Sequence, residues 1–230
     1  MNAFIHRSEN RGHVNIDWLD SKHSFSFGSW YDPNYMGVSV LRVINDDRIA
    51  AQNGFGTHAH DNMEILTCVL DGTISHRDSM GNEGHIPAGE WQLMSAGTGV
   101  KHSEINNSDA PVHLLQIWIH PDVSNAEPNY QQVKCDPQEQ PNQWHVIAGP
   151  NPNALMHIRQ QAEVKSAVIE KGQALAVEMT QALNYVHLIS GSIQIAEHIL
   201  SAGDAIAFED AAQIEALEDS QMIWFDLPKA

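Results

Sequence analysis

Short apolar runs separated by turn-forming residues are the feature that most constrains the fold of this chain. Gly, Asn, Asp and Pro stand between the runs, and long helical periodicity is hard to find. Runs of this length between such residues are typical of strands in a β-sandwich or barrel. We therefore predict an all-β protein with few short helices, the best candidates being 136–140 and 210–217. The clearest strand candidates are residues 39–44, 64–70, 90–94 and 112–119.

The two halves of the chain resemble each other. Leu70-Asp-Gly72-Thr-Ile-Ser matches Ile189-Ser-Gly191-Ser-Ile-Gln, and two further pairs follow in the same order. These pairs are Pro87-Ala-Gly89 with Ser201-Ala-Gly203, and Gln116-Ile-Trp118 with Met222-Ile-Trp224. Ordered self-similarity of this kind indicates a duplicated β unit.

A proline-rich stretch divides the two copies. Residues 121–152 contain six prolines among many Asn and Gln, a composition that favours a linker or an extended strap over the surface. We predict an N-terminal lobe over residues 1–125. Residues 126–230 would then form the linker and a second lobe.

Two pairs of polar residues in the first half have the spacing of one metal site. His58 and His60 are separated by one residue, and so are His102 and Glu104. In a strand, residues i and i+2 point to the same face, so two such pairs on neighbouring strands would converge. Three imidazoles and one carboxylate suit a first-row transition ion better than Ca²⁺ or Mg²⁺.

The second copy lacks these ligands. Counting from the matched glycines, Val177 and Met179 fall at the places of His58 and His60, and the place of His102 falls near Ala216. We therefore expect the metal in the first lobe alone.

Charge and hydropathy exclude several partners. Twelve Lys and Arg against 29 Asp and Glu give a net charge of −17, which repels phosphate backbones and disfavours nucleic-acid binding. The N-terminus carries charge before any apolar stretch develops, and no run approaches the length of a membrane-spanning helix. The expectation is a cytoplasmic protein without membrane contact.

The histidine pairs lie in a pattern that resembles the cupin superfamily and, within it, the pirin family. The first cupin motif is matched by Gly54, His58, His60, Glu64 and Gly72; the second is matched by Gly89, Gly97 and His102, with Ser95 where proline is common. The pirin resemblance adds an N-terminal block over residues 11–33. It implies a bicupin, two jelly-roll-like β-barrel lobes of which the second is degenerate, and is nearest to short bacterial pirin-like quercetinases.

The resemblance leaves two candidates for the carboxylate ligand. In common cupins it comes from the first motif, where this chain has Glu64. The pirin pattern draws it from the second motif, which gives Glu104. We favour Glu104 as ligand and catalytic base, with Glu64 orienting a histidine or acting as the reserve.

The same resemblance implies an activity. Pirins of this type resemble quercetin 2,3-dioxygenases, which open the flavonol ring with O₂ and release carbon monoxide. Four ligands leave one or two positions for substrate and oxygen. Fe(II) is the first choice of metal and copper the second, while Mn, Co, Ni and Zn also suit the ligand set. The alternative is a non-enzymatic, redox-responsive regulator that docks a protein partner, which a charge of −17 fits better than DNA.

Overall fold

The computed structural model describes residues 3–178 and 180–229, and nearly all of its regular structure is β. This confirms the all-β prediction. The strands of the first half, in chain order, are β1 (Ala3–His6), β2 (Gly12–Ile16), β3 (Leu19–His23), β4 (Leu41–Ile49), β5 (Asn53–His60), β6 (Glu64–Asp71), β7 (Thr73–Asp78), β8 (Glu83–Pro87), β9 (Glu90–Ser95), β10 (Val100–Asn106) and β11 (Val112–Ile119).

The second half continues in the same way. Its strands are β12 (Asn129–Lys134), β13 (His145–Gly149), β14 (Met156–His157), β15 (Glu163–Ile169), β16 (Ala174–Val177), β17 (Leu183–Ser190), β18 (Ser192–Ile195), β19 (His198–Ser201), β20 (Ala205–Phe208), β21 (Ala212–Ala216) and β22 (Ser220–Leu227). The helices among the described residues are two 3₁₀ turns, Ser8–Asn10 and Pro137–Glu139. Neither turn has the length or the apolar character needed to cross a membrane.

Each lobe is a seven-stranded sheet packed against a four-stranded sheet. In the first lobe the orders are β12-β9-β6-β11-β4-β3-β2 and β5-β10-β7-β8. In the second lobe they are β1-β20-β17-β22-β15-β13-β14 and β16-β21-β18-β19. The shared architecture confirms the bicupin fold. The apolar residues between the first lobe's two sheets include Ile49, Ile74, Ile86 and Leu114.

The two large sheets pack back to back. Ile44, Leu66 and Leu115 from the first lobe form one buried cluster with Tyr185 and Phe225 from the second. Side chains on both faces of each large sheet are therefore buried, one face inside its own lobe and the other between the lobes. Burial on both faces explains why these strands read as continuous apolar runs.

The chain crosses between the lobes at two sheet edges. Strand β1 lies in the predicted first lobe but pairs with β20 of the second, with Ala3 opposite Phe208. Strand β12 lies in the predicted linker but pairs with β9 of the first lobe. Both additions cover an edge that would otherwise expose unpaired backbone groups. The boundary between the lobes near residue 125 remains a proposal. By their pairing, β1 is assigned to the second lobe and β12 to the first.

Polar contacts tie β1 to the second lobe. The Asp204 carboxylate accepts hydrogen bonds from Arg7 Nη1 and from the Ser8 amide, both at 2.7 Å. Arg7 Nη1 also donates to the carbonyl oxygen of Ile199 at 2.9 Å. Burial opposes ionisation of Asp204, but its hydrogen bonds outweigh burial and lower its pKa.

One expected helix is a short turn and the other is wrong. Asp136 caps the 3₁₀ turn at Pro137–Glu139, since its side chain accepts from the Gln138 amide. The segment 210–217 instead contains strand β21, where buried Ile214 and Ala216 alternate with exposed Gln213 and Glu215. A period of two in so short a run identifies a strand.

Candidate metal centre

Three imidazoles of the first lobe converge. His58 and His60 lie on β5, and His102 lies on the neighbouring antiparallel strand β10, directly opposite His58. One potential ligand nitrogen from each ring lies within 4.8 Å of the others. Over residues 3–178 and 180–229, this is the one group of three or more His, Cys, Asp or Glu side chains with that spacing. The predicted convergence of the two pairs therefore occurs for all three histidines.

The ring geometry fits a metal ion. Nδ1 of His58 lies 2.8 Å from the carbonyl oxygen of Gly56, so it carries the proton and Nε2 is left as an acceptor. That Nε2 lies 3.1 Å from Nε2 of His102. His102 Nδ1 has no partner among the described residues, so either His102 Nε2 donates a hydrogen bond to His58 Nε2 or a cation lies between the two nitrogens. A divalent ion held by both nitrogens would be such a cation.

Burial keeps two of these rings neutral. Desolvation, reinforced by the neighbouring imidazoles, lowers the pKa of His60 to about 4 and that of His102 to about 3. Both rings are therefore neutral at pH 7. Neutral imidazole is the form that binds metals, so no proton has to be removed from these two groups on metal binding.

Glu104 follows His102 on β10 after a bulge, and its carboxylate is held from the opposite sheet. Gln116 Nε2 donates to Oε2 of Glu104 at 2.8 Å, and Thr67 Oγ1 lies 3.2 Å from Oε1. The residue is only 2% exposed. The mutually close set comprises the three imidazoles without this carboxylate. Its predicted role as the fourth ligand thus stays a prediction.

Glu64 has a different environment. It is 1% exposed, and its Oε2 accepts from Ser95 Oγ at 2.7 Å and from the Arg159 amide at 3.3 Å. Burial raises its pKa. These partners connect the start of β6 to a segment of the second lobe. None of them is one of the three histidines.

His76, which has no partner pattern in the sequence, lies beside the centre. Its ring centroid is 5.4 Å from that of His102, and its backbone pairs with Glu104. Nδ1 of His76 lies 3.0 Å from Gln92 Nε2, and Nε2 lies 3.1 Å from Asp78 Oδ2. His76 stands alone in sequence, so only the pairing of β7 with β10 could have revealed it.

An indole borders the other side of the centre. The half-buried ring of Trp118 contacts His60 edge to face, with centroids 4.9 Å apart at 82°. Phe27 packs on the indole in turn, with centroids 5.3 Å apart. The histidines therefore lie beside an aromatic wall built from the N-terminal block and β11.

The strand register shows what replaced this centre in the second lobe. Glu104 pairs with the fourth residue after Gly72, and Ile214 pairs with the fourth residue after Gly191, so the two positions correspond. By the same pairing, the second lobe has Val177 for His58, Ala212 for His102, Ile214 for Glu104, Val186 for Thr67 and Trp224 for Gln116. Apolar side chains thus take the places of these five polar residues.

This register corrects two details of the sequence alignment. Val177 is confirmed as the counterpart of His58, but His102 corresponds to Ala212 and not to a residue near Ala216. The sequence alignment paired Trp224 with Trp118, but in the strand register Trp224 corresponds to Gln116, two residues earlier. The second copy is shorter between its landmarks, since 9 residues separate Gly203 from Ala212 and 13 separate Gly89 from His102, so counting from the glycines overshoots. Met179, aligned with His60, lies outside the described residues.

Comparison with known families covers both lobes. Residues 5–119 match the family described as Pirin, and residues 146–227 match the quercetinase C-terminal cupin domain. Apart from β1 and β12, each match covers the strands of one of the two pairs of sheets described above.

Similar proteins match over almost their full length. A protein named quercetin 2,3-dioxygenase from Escherichia coli is 42% identical over 229 residues, which cover 98% of each chain. A pirin-like protein from Caulobacter vibrioides is 36% identical, over 94% of this chain and 95% of the relative. The crystal structure of the bacterial pirin YhhW from E. coli, in complex with nickel(II), has a TM-score of 0.93 at 40% identity and covers 100% of both chains.

Proposed function

We propose, since this chain belongs to the pirin family, that it is a metal-dependent dioxygenase acting on a flavonol such as quercetin. The reaction would open the flavonol ring with O₂ and release carbon monoxide. The observation that carries the proposal is the set of three imidazoles in the first lobe, with two Nε2 atoms 3.1 Å apart. The relative named quercetin 2,3-dioxygenase, at 42% identity over 98% of the chain, supports the choice of substrate.

His58, His60 and His102 would hold the metal, with Glu104 as the fourth ligand. Iron(II) is our choice, although the nickel(II) bound to the E. coli relative supports a divalent ion of any kind that suits imidazole. When bound, such an ion supplies a Lewis acid that favours the deprotonated hydroxyl of the flavonol and a position for dioxygen.

Glu104 would accept the proton of the flavonol hydroxyl. Gln116 and Thr67 each donate to one oxygen of its carboxylate, and a lone pair that remains would take that proton once Glu104 has left the metal. Because both partners come from the rigid large sheet, the carboxylate is held in one orientation. A base held in place next to the reacting group is what general base catalysis requires.

Trp118 would position the flat substrate. Its half-buried indole lies against His60, on the side of the centre from which a planar aromatic molecule can stack. Stacking would orient the flavonol hydroxyl toward the histidines and Glu104, and much of the rate enhancement would come from this placement.

The test is the loss of the flavonol absorbance band when iron-loaded protein is mixed with quercetin in air. We expect turnover that depends on oxygen, releases carbon monoxide into the headspace and falls in His58→Ala by more than about 100-fold, since loss of an outer partner alone typically costs 10–100-fold. His157→Ala is the matched control, because that histidine is exposed and lies in the second lobe. It should retain full activity.

Two outcomes would contradict the proposal. One is an inert flavonol with iron, nickel, copper, manganese, cobalt and zinc in turn. The other is equal turnover by wild type and His58→Ala. The first outcome would favour the alternative, a redox-responsive regulator whose metal alters a surface for a protein partner.

A further inference from the structure

We propose that the second lobe has its own binding site, for a neutral planar aromatic molecule that carries a carbonyl group. The site lies at the mouth of the second barrel and is built from Trp144, Lys165 and Trp224. It uses none of the three histidines, so it does not depend on the function proposed for the first lobe.

The site is a pocket of about 340 Å³. This volume lies at the lower end of the roughly 300–1,000 Å³ typical of small-molecule sites, which favours a ligand of one or two rings. The pocket is lined by Trp144, Val146, Lys165, Ala176, Glu178, Thr180 and Trp224.

The pocket lies in the second lobe at the position that corresponds to the surroundings of Glu104 in the first lobe. Trp224 corresponds to Gln116, and Lys165, its cross-strand partner, corresponds to Asn45. Trp224 is 3% exposed and Lys165 is 8% exposed, so both form the floor of the pocket. In the second lobe, apolar side chains stand where the first lobe has its polar residues, and they fill the barrel beneath this floor. The mouth of the barrel above the floor is concave.

The two indoles make a rigid aromatic corner. Their ring centroids are 5.2 Å apart and their planes meet at 61°. Trp144 Nε1 donates to the Ala176 carbonyl at 2.8 Å, and Trp224 Nε1 donates to Asn184 Oδ1 at 2.9 Å, so both rings are fixed. A flat ligand lying on one indole presents its edge or face to the other, and both arrangements are favourable for aromatic rings.

Lys165 provides the polar anchor. Its Nζ lies 3.0 Å from Glu163 Oε2 and 3.8 Å from the centroid of the Trp224 ring. An ammonium group has three N–H donors, and the described residues provide these two contacts for it. The remaining donor suits a carbonyl oxygen on the ligand.

The surrounding charges select a neutral ligand. One cation, Lys165, faces two carboxylates, Glu163 beside it and Glu178 at the exposed rim. The pocket therefore carries no excess positive charge that would attract an anion. A phenolic hydroxyl at the rim could donate to Glu178, so an aromatic molecule with a carbonyl at one end and a hydroxyl at the other matches both ends.

The probe is methyl 4-hydroxybenzoate, titrated calorimetrically into the full chain after metal removal with a chelator. We expect saturable binding at one site per chain. Ala176→Trp should weaken it at least about tenfold by filling the pocket, and so should Lys165→Met by removing the donor. The matched control is Ala174→Trp, an exposed position two residues earlier on β16 and outside the pocket, which should bind like wild type.

Two analogues test the ligand class. Methyl cyclohexanecarboxylate lacks the aromatic ring, and 4-hydroxybenzoate replaces the neutral ester with an anion. Each should bind at least about tenfold more weakly than the probe. Thermal unfolding of each variant checks that it is folded.

The proposal is overturned if the probe does not bind at its solubility limit, or if folded Ala176→Trp and Lys165→Met both bind it like wild type. It is also overturned if His58→Ala abolishes binding, because the probe would then occupy the first lobe. Equal binding of methyl cyclohexanecarboxylate would overturn the aromatic class.

Discussion

At the scale of residues, the sequence predicted the histidines of the centre but not the residues around them. His58, His60 and His102 follow from a spacing of two, because a strand turns that spacing into a shared face. Thr67 and Gln116 contact Glu104 from the opposite sheet, 37 and 12 residues away in sequence. No local sequence pattern encodes a contact between two sheets, so the sequence could not predict these partners of Glu104.

The first prediction concerns the orientation of Glu104. Gln116→Leu removes the 2.8 Å hydrogen bond to Glu104 Oε2 while keeping a side chain of similar size. We expect metal affinity or flavonol turnover to fall by about 10–100-fold, the typical effect of losing an outer partner. Competition with a coloured chelator measures the affinity. Gln213→Leu, at an exposed position of β21, is the control. Metal affinity and flavonol turnover both unchanged in Gln116→Leu would contradict the prediction.

A second prediction concerns His187, which is buried between the lobes. Neither of its ring nitrogens has a hydrogen-bond partner among the described residues. Burial, and then the charge of Arg11, lowers the pKa of His187 to about 3, although Asp46 and Asp204 oppose the shift. His6, the other neighbour that titrates, also has a lowered pKa. When the pKa of a histidine is lower in the folded state than in the unfolded state, the unfolded chain binds the proton at a higher pH. The free energy of unfolding therefore decreases as the pH falls.

The expected result is a weaker pH dependence in His187→Phe. Stability from the neutral ring is fully present above the unfolded pKa of about 6.5 and is lost as the pH falls toward 3. Between pH 7 and pH 5, wild type should lose about 2 kcal/mol more free energy of unfolding than His187→Phe, measured with urea. The exposed control His157→Phe should follow wild type. Equal losses in wild type and His187→Phe would refute this assignment.

At the scale of elements, the pairing of β5 with β10 positions the three histidines, and one glycine permits it. A Cβ on Gly54 would lie 2.2 Å from the Glu104 carbonyl oxygen and 2.7 Å from the Ile105 Cα. Backbone atoms cannot move aside as a flexible side chain can. Gly54 therefore allows the two strands to approach at the bulge beside the centre.

We predict that Gly54→Ala separates β5 from β10 and lowers the metal content per chain. The reason is that His58 and His102 face each other only while these strands pair. Gly84→Ala is the matched control, since that glycine lies on β8 of the same sheet and a Cβ there meets nothing within 4 Å. Metal analysis of both variants measures the effect, and full metal content in Gly54→Ala would be the contrary result.

Elements with strong local patterns were predictable and those defined by distant pairing were not. Strands β4, β6, β9 and β11 overlap the four apolar runs of the sequence. The helix predicted at 210–217 was wrong because the apolar residues there alternate with a period of two, which is typical of a strand. Strand β1 joins the second lobe's sheet although β2 follows it, and β12 pairs with β9 although β11 precedes it, which only the pairing reveals.

At the scale of the whole molecule, duplication explains both the fold and the single centre. Two copies of one pair of sheets pack through their large sheets, and the repeat was visible in sequence because turn glycines mark the same bends in each copy. The second copy keeps the apolar framework, with Val177, Val186, Ile214 and Trp224 in one buried cluster. It stabilises the assembly without the ligands. We therefore expect one metal ion per chain.

The most direct test of the account is elemental analysis of the protein purified without added metal. We predict about one divalent transition-metal atom per chain, and none in the triple variant His58→Ala, His60→Ala and His102→Ala. A full equivalent retained by the triple variant would contradict the metal centre described here. So would wild-type protein that holds no iron, nickel or other divalent transition metal even after reconstitution.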